Sequence, residues 1–444
     1  MTTTAPAPTP TPAATLPAAF HRLWAASTVS SLGDGVYFAA LPLLAATLTR
    51  DPLTLALVTS AALLPWLLFG LHGGALVDRW NHRRTMWLTD LARAVLLAIP
   101  AVAAAVGLLS IPLLIAVAFL LGIGQILFDT AGSAYLPQLL DRDLTLLQRA
   151  NARTMGARTV AADFAGPPLG SALFVLARAL PFGLDALSFL ASSLLVRTLP
   201  GEPGATRGAA RQEAREEQGE TVGPAPAKPS LWAEAKVGAG YLLRDKVLLG
   251  LALRPAIGNL AFVGADAVLV LFAHQLLHLG DLGYGVLLAS QAAGGLLGAA
   301  LAGRLGGLLG TGGALTATAL LEAAALVGLG CSGNPITAGL ALALLGAAMA
   351  ATMVLAPSVS QALIPAELAG RIGATRRLMA VGAAPIGAVL GGWLATGAGL
   401  RAPFLAGAVL LASTAVLSLT LASNRRIAEA LAAAAGADSS SAAS

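Results

Sequence analysis

Long apolar runs dominate the chain, at roughly residues 22–48, 53–77, 85–107, 111–136, 151–177, 180–199, 247–275, 282–303, 311–330, 335–358, 372–397 and 402–422. A helix needs about 20 apolar residues to cross the hydrocarbon of a bilayer. The pattern therefore predicts an all-α integral membrane protein of twelve spanning helices, spans 1–12, in two groups of six. The broadest interruption, residues 200–230, carries nine charges and no aromatic residue, a composition that cannot bury a core and reads as a linker. Directly after it, Leu231, Trp232, Ala239 and Leu242 lie near one helical face, as in a helix resting on a bilayer surface. The expected units are a disordered tail (1–17), an N-terminal bundle (18–199), a linker with an amphipathic helix (200–245), a C-terminal bundle (246–423) and a second tail (424–444).

Composition narrows the class. The chain is 57% hydrophobic and 11% charged, against about 25% charge in a soluble domain. Its net charge of +5 is not gathered on one face but punctuates the apolar runs, which speaks for membrane topology and against nucleic acid. The single cysteine, Cys331, leaves no internal disulfide. Residues 1–17 alternate Pro, Thr and Ala without the basic and apolar regions of a signal peptide. Arg79, Arg83, Arg84, Arg142, Arg149, Arg304 and Arg371 follow spans 2, 4, 8 and 10, whereas the opposite loops hold Arg50, Arg178 and Arg401. Positive residues favour the cytoplasmic side, so both termini are expected in the cytoplasm. The excess of arginine over lysine points to a bacterial source, and hence to the bacterial cytoplasmic membrane.

The two halves echo each other. "YLPQLLDRDL" (135–144) resembles "VSQALIPAEL" (359–368), "GPPLG" (166–170) has a weaker partner in "APIGAVLGG" (384–392), and "GALVDRW" (74–80) corresponds to "AALAGRL" (299–305). A six-helix unit duplicated in parallel is a transporter plan.

Ionisable residues inside spans are functional candidates. Asp34 lies near mid-depth in span 1, on a polar stripe of Ser27, Ser30, Ser31, Asp34, Tyr37 and Phe38 expected to face a cavity. Asp129 in span 4 and Arg158 in span 5 sit at similar depth and are expected to pair. Asp163 precedes Pro167 by four residues; proline frees the carbonyl of residue 163 and clashes there, so Gly166, Pro167 and Gly170 form an expected hinge. Span 7 contributes Arg254 and Asp266. Asp90 and Arg93 are spaced to pair locally in span 3, Asp185 is expected to rest on the dipole at the start of span 6, and Glu322 is expected to be structural. The Gly-x-x-x-Gly pairs at 294/298 and 387/391 predict close helix contacts. Two histidines near the outer end of span 7, His274 and His278, are too few for a metal site. Trp24, Tyr37, Phe38, Phe128, Phe262, Met349 and Met353 are candidates to line a pocket for an amphiphilic substrate. No His-Glu-x-x-His, Gly-x-Ser-x-Gly or phosphate-binding loop is present, so no enzyme and no ATP-driven pump is expected.

"GALVDRWNHRR" (74–84) resembles the signature of the major facilitator superfamily for the loop between its second and third helices, with Gly74, Leu76, Asp78, Arg79 and Arg83 matching. "GPPLG" resembles the fifth-helix antiporter signature, with Ser171 in place of its last glycine. The arginine that opens the family's fourth-helix signature is absent from "AFLLGIGQILFD" (118–129). The stretches "FHRLWAASTVSSLGDGVYFAALPLLA", "LARAVLLAIP", "ILFDTAGSAYLPQLL" and "DALSFLASSLLVRTL" resemble the bacterial drug:proton antiporter branch that holds macrolide-efflux and enterobactin-exporter-like proteins. The resemblance implies two pseudo-symmetric six-helix bundles that rock about a central site lined by spans 1, 4, 7 and 10. It implies a cytoplasmic gate at Gly74, Asp78, Arg79 and Arg83, docked on the start of span 11. It also implies a monomer that exports drug- or macrolide-like amphiphiles by proton antiport, with no cofactor and the proton gradient as energy source. Asp34 or Asp129 is the expected proton carrier. Siderophore or other metabolite export is the alternative substrate reading, and a non-transporting scaffold or receptor the alternative of another class.

Overall fold

The computed structural model describes residues 15–70, 80–201, 240–363, 369–421 and 423–429. These are almost entirely helical. The helices are α1 Ala18–Leu48, α2 Pro52–Phe69, α3 His82–Val106, α4 Ile111–Leu139, α5 Leu144–Arg158, α6 Gly166–Leu176, α7 Leu180–Arg197, α8 Lys246–Asp266, α9 Leu269–Gln275, α10 Asp281–Cys331, α11 Pro335–Leu363, α12 Ala369–Ala398 and α13 Ala402–Leu421. A π-helical segment, Thr159–Ala165, joins α5 to α6, and the two form span 5. Helices α8 and α9 form span 7, broken at Ala267 and Val268. Helix α10 has 51 residues, about 77 Å at 1.5 Å per residue, too long for one crossing. It turns at Gly310, whose φ of 70° and ψ of 163° are outside the helical region, so its two arms are spans 8 and 9. A loop holding Arg304 was expected there; Arg304 is instead inside the first arm. Twelve crossings result among the described residues.

Short polar side chains start several spans. Asp51 accepts from the Thr54 amide, Asn81 from Arg84, Asp143 from Thr145 and Leu146, and Asp245 from Val247 and Leu248; each satisfies amides that a helix start leaves open. The Thr54 hydroxyl bonded to Asp51 and the Thr145 hydroxyl bonded to Asp143 hold both carboxyls below the usual carboxylate range. Their capping is therefore present at neutral pH and is lost only as pH falls through those lowered values.

The halves are α1–α7 and α8–α13. In the first, α1 packs on α7, α6 and the π segment, α2 on α4, and α3 on α7 and α4; in the second, α8 packs on α12 and α13, and α10 on α11 and α13. Two seams join the halves, α2 against α12 and α6 against α10. The duplication relates span 2 to span 8 and span 5 to span 11, so the seams are symmetry mates. In the first, Ser60 donates to the Pro385 carbonyl at 3.1 Å and Arg377 lies 4.8 Å over the Trp66 ring.

Glycines permit three further close helix contacts. Gly35 of α1 rests on the Ala162 backbone and on Gly166, while in the second half Gly264 of α8 rests on Gly387 and Gly391 of α12. The "GPPLG" and "APIGAVLGG" stretches thus make equivalent backbone contacts. Gly294 and Gly298 seat the backbone of Ala343 and Ala347 of α11, as their spacing implies.

The apolar core is continuous between halves at one end only. Leu43, Leu44 and Leu55 of the first half share a buried cluster with Phe272, Tyr284 and Phe404 of the second. At the end where the halves are linked, each half buries its own: Leu23, Met86, Phe128 and Tyr135 in one, Leu248, Leu251, Leu315 and Ile372 in the other. Among the described residues, the buried core is therefore shared between halves at the far end and separate at the linker end. The stretch expected to start a free tail is built into the second half. Asn424 accepts from the amides of Gly312 and Gly313 and donates to the Leu309 carbonyl, clasping the Gly310 turn, and Ile427 is buried.

Candidate functional site

At mid-depth α1 carries Gly33, Asp34 and Gly35. Gly33 lies against Asp185 and Ser188 of α7, and Gly35 against the π segment, with no space for a Cβ on either. Both flanks of α1 are pinned, and Asp34 projects toward α3 and α4. There Arg93 Nη2 donates to Asp34 Oδ1 at 2.8 Å and to Gln125 Oε1 at 2.6 Å, and Gln125 Nε2 donates to Asp129 Oδ2 at 3.0 Å. Asp90 lies 3.7 Å from Arg93 Nη1 and accepts a hydrogen bond from Ser192 at 2.5 Å. The guanidinium stacks 3.7 Å above the Phe189 ring, a favourable cation–π placement. Gly124 clears its path, since a Cβ there would lie 2.8 Å from Arg93 Cγ. Spans 1, 3, 4 and 6 thus meet at one arginine.

The cluster is dry at its centre, while Asp34, Gln125 and Asp129 are partly exposed. Asp90, Arg93 and Asp185 are buried, with Arg93 Nε and Asp185 Oδ2 lacking hydrogen-bond partners. The Asp34 side chain is 33% exposed. Helix α1 is covered by α7, α6 and the π segment on one side and touches α2 and α4 on the other. Its open stripe, Trp24, Ser27, Ser31, Asp34 and Phe38, therefore looks into the division between halves. Across the division, α8 presents half-exposed Asn259, Phe262 and Asp266 at helical spacing. Asp266 ends α8 at the break in span 7 and makes no hydrogen bond or ion pair with a described residue.

Several sequence expectations are corrected. Ser30 and Tyr37 leave the cavity stripe: Ser30 is buried, and Tyr37 packs edge-on against Phe182 of α7. Phe128 is inside the first-half core rather than on a lining. Asp129 and Arg158 do not pair; Asp129 is taken by Gln125, and Arg158 is exposed without an ion pair to a described residue. Asp185 is six residues into α7 and rests on Gly33 and the Ser188 hydroxyl rather than on the helix start. Asp163 is exposed, and the bend expected near it takes the form of the π segment, in which the Gly166 amide reaches back five residues to Ala161. Among the remaining lining candidates, Trp24 donates to the Arg153 carbonyl, Phe262 and Met349 are half-buried, and Met353 is 76% exposed.

The second half carries a related network with the charges exchanged. Arg254 of α8 donates to the Leu315 carbonyl at 2.6 Å and to Thr318 and Thr352 at 2.8 Å, and it lies 3.4 Å from Glu322. Thr352 donates to Glu322 at 2.9 Å. Spans 1, 3 and 4 are thus bridged by acid, arginine and amide, and spans 7, 9 and 10 by arginine, acid and hydroxyl. The arginine of one half faces the gap's open acid, whereas that of the other is sealed within its bundle. Of the expected gate residues, Gly74, Asp78 and Arg79 lie outside the described residues; Arg83 donates to the Leu199 carbonyl at 2.6 Å, tying the start of span 3 to the end of span 6.

Twelve crossings, two symmetry-related seams and a polar cluster at mid-depth define a multi-pass membrane protein built on a transporter plan. Residues 23–380 match the Major Facilitator Superfamily, and the chain belongs to it. Over 142 residues it is 31% identical to uncharacterized MFS-type transporters of Mycobacterium bovis and Mycobacterium tuberculosis, the match covering 31% of this chain. The matched region spans about a third of those relatives, 32% of each. A bacterial homolog to the human lysosomal transporter Spinster, inward-facing and occupied, is similar in structure with a TM-score of 0.68 and 13% identity, over 91% of this chain and 96% of that one. The nucleoside transporter NupG gives 0.67 at 13% identity, over 91% and 99%. A bacterial homologue of the iron transporter ferroportin, inward-facing, gives 0.67 at 14%, over 90% and 98%. At these identities the likeness is one of fold.

Proposed function

We propose that this transporter is driven by the proton gradient through the Asp34–Arg93 bridge and exports amphiphilic small molecules from the cytoplasm. One observation carries the reading: among the cluster's carboxyls, Asp34 alone is both bonded to the buried arginine and partly exposed. Four carboxyls, Asp34, Asp90, Asp129 and Asp185, gather about one guanidinium, and burying such an excess of charge is costly. A proton on Asp34 lowers that excess and releases Arg93 to Asp90 and Gln125. Helix α1, pinned by Gly33 and Gly35, carries the change to α7 and span 5, the latter forming one of the seams.

The arginine bias supports a cytoplasmic linker end in the bacterial cytoplasmic membrane, with both termini inside. The division then opens to the cytoplasm, where it can load solute. Trp24, Phe38, Phe262, Met349 and Met353 offer the apolar lining that a drug- or macrolide-like amphiphile needs, and the working unit is a monomer. One charge moving through ~100 mV yields about 2.3 kcal/mol, enough for a roughly 50-fold solute gradient.

The test is solute accumulation in everted membrane vesicles, against a panel of amphiphilic drugs, siderophores and other metabolites. In Asp34→Asn, accumulation driven by a pH gradient is expected to fall at least tenfold (about 1.4 kcal/mol of lost driving energy), while exchange of labelled for unlabelled solute continues. Undiminished pH-driven accumulation would remove Asp34 from the mechanism. A scaffold would give no flux in either protein, and a metabolite exporter would show the same loss with a different solute.

A further inference from the structure

A second cavity, unrelated to the bridge, lies at the linker end of the second half. It measures about 560 Å³ and is lined by Tyr241, Arg244, Asp245, Lys246, Val247, Arg426 and Glu429. Both of its acids are already committed. Asp245 caps α8 through the Val247 and Leu248 amides, and Glu429 lies 3.2 Å from Arg425. Its three cations are not: Arg244, Lys246 and Arg426 make no hydrogen bond or ion pair with a described residue. They converge from two separate elements, since Arg426 is held in place by Asn424 clasping the Gly310 turn on one side and by buried Ile427 on the other. Two leucines adjoining these elements face outward: Leu243, next to Arg244, is 70% exposed, and Leu308, beside the carbonyl that Asn424 binds, is 83% exposed.

Three cations without a described partner, against two acids already bonded, in a cleft near outward-facing leucines at the edge of a spanning bundle, match an anion that brings its own hydrocarbon. We propose that this cleft binds the phosphate headgroup of an anionic lipid, with Arg244, Lys246 and Arg426 on the phosphate, the Tyr241 hydroxyl at the headgroup and the acyl chains along Leu243 and Leu308. Such a lipid staples the tail segment to the start of span 7. Basic clefts between spanning helices gain most of their affinity for anionic headgroups from charge, at about fivefold per cation.

The experiment measures binding of a fluorescent phosphatidylglycerol to the purified full-length protein in detergent, beside phosphatidylcholine of the same acyl length. Inorganic phosphate at millimolar concentration serves as competitor. Phosphatidylglycerol is expected to bind, phosphatidylcholine to bind far more weakly and inorganic phosphate not to displace the lipid. The variant Arg244→Gln, Lys246→Gln, Arg426→Gln is expected to bind phosphatidylglycerol on the order of 100-fold more weakly. Equal binding of the two lipids, or of the variant and the parent, would overturn the proposal, and full displacement by inorganic phosphate would assign the cleft to free phosphate instead. Should the triple variant fail to fold, two measurements decide on their own: affinity of the unaltered protein against rising salt, and affinity of Lys246→Gln, whose side chain is exposed. Both are expected to weaken binding; an affinity indifferent to salt and to Lys246 contradicts the site.

Discussion

Replacing Arg93 by leucine is expected to destabilise the folded protein by about 3–5 kcal/mol, the cost of removing one partner from a buried charge cluster. Arg93 is 4% exposed and holds Asp34, Asp90 and Gln125 at once. Without it Asp90, fully buried, keeps only the Ser192 hydroxyl. Leucine fills part of the volume and supplies none of the donors. The change should appear as a large drop in thermal midpoint in detergent and a loss of monodisperse protein. Asp34→Asn should do far less, because its side chain is partly solvated and Arg93 keeps Asp90 and Gln125 as partners. The double variant should recover part of the single loss, since the two residues share an interaction. An Arg93→Leu protein as stable as the parent would mean that Asp90 and Arg93 are solvated rather than buried together.

The second large effect concerns the crossing of spans 1 and 5. In Gly35→Val the added Cβ would lie 2.8 Å from Ala162 Cα, and Gly166 faces the same contact with Gly35 Cα at 2.6 Å. Backbone meets backbone here, so no side chain can swing aside, and the helices must separate. Overpacking of an ordinary core costs about 1–3 kcal/mol. A separation of α1 from the π segment would also misplace Asp34, so transport should be lost even in the fraction that folds. Gly183→Ala, in the same half and with nothing within 4 Å of its added carbon, serves as the control and should transport normally. Equal behaviour of the two variants would show that the crossing bears no weight.

Much of the fold was readable from the chain because a bilayer permits few solutions: a spanning segment must satisfy its own backbone, so apolar run length maps onto helices. The break between spans 8 and 9 was not readable as a single glycine. Gly310 turns the chain without the polar loop that the charge at Arg304 implied, and it does so because Asn424, more than a hundred residues later, supplies the missing hydrogen bonds. The site was half readable. Asp34 stood out as an acid in an apolar span, but Arg93 was assigned to Asp90 because sequence spacing shows neighbours on one helix and not across three. The signal that was available is local: glycines at 33 and 35 on either side of an acid mark a helix pinned on both flanks, which leaves the acid only one way to point. The Asp129–Arg158 pairing failed for the converse reason. Equal depth is no contact when Gln125, one turn away on the same helix, reaches Asp129 first.

The central claim is that the charge on Asp34 sets how far the halves part at the linker end, and a distance measurement tests it without knowledge of the solute. Spin labels placed at Leu144→Cys in the first half and Leu308→Cys in the second, both more than 70% exposed, with Cys331 replaced by serine, report the width of that end by pulsed dipolar spectroscopy. The parent is expected to shift its distance distribution as pH is lowered, and Asp34→Asn to show one distribution, the low-pH one, at every pH. A parent and an Asp34→Asn protein that respond to pH identically would contradict the account.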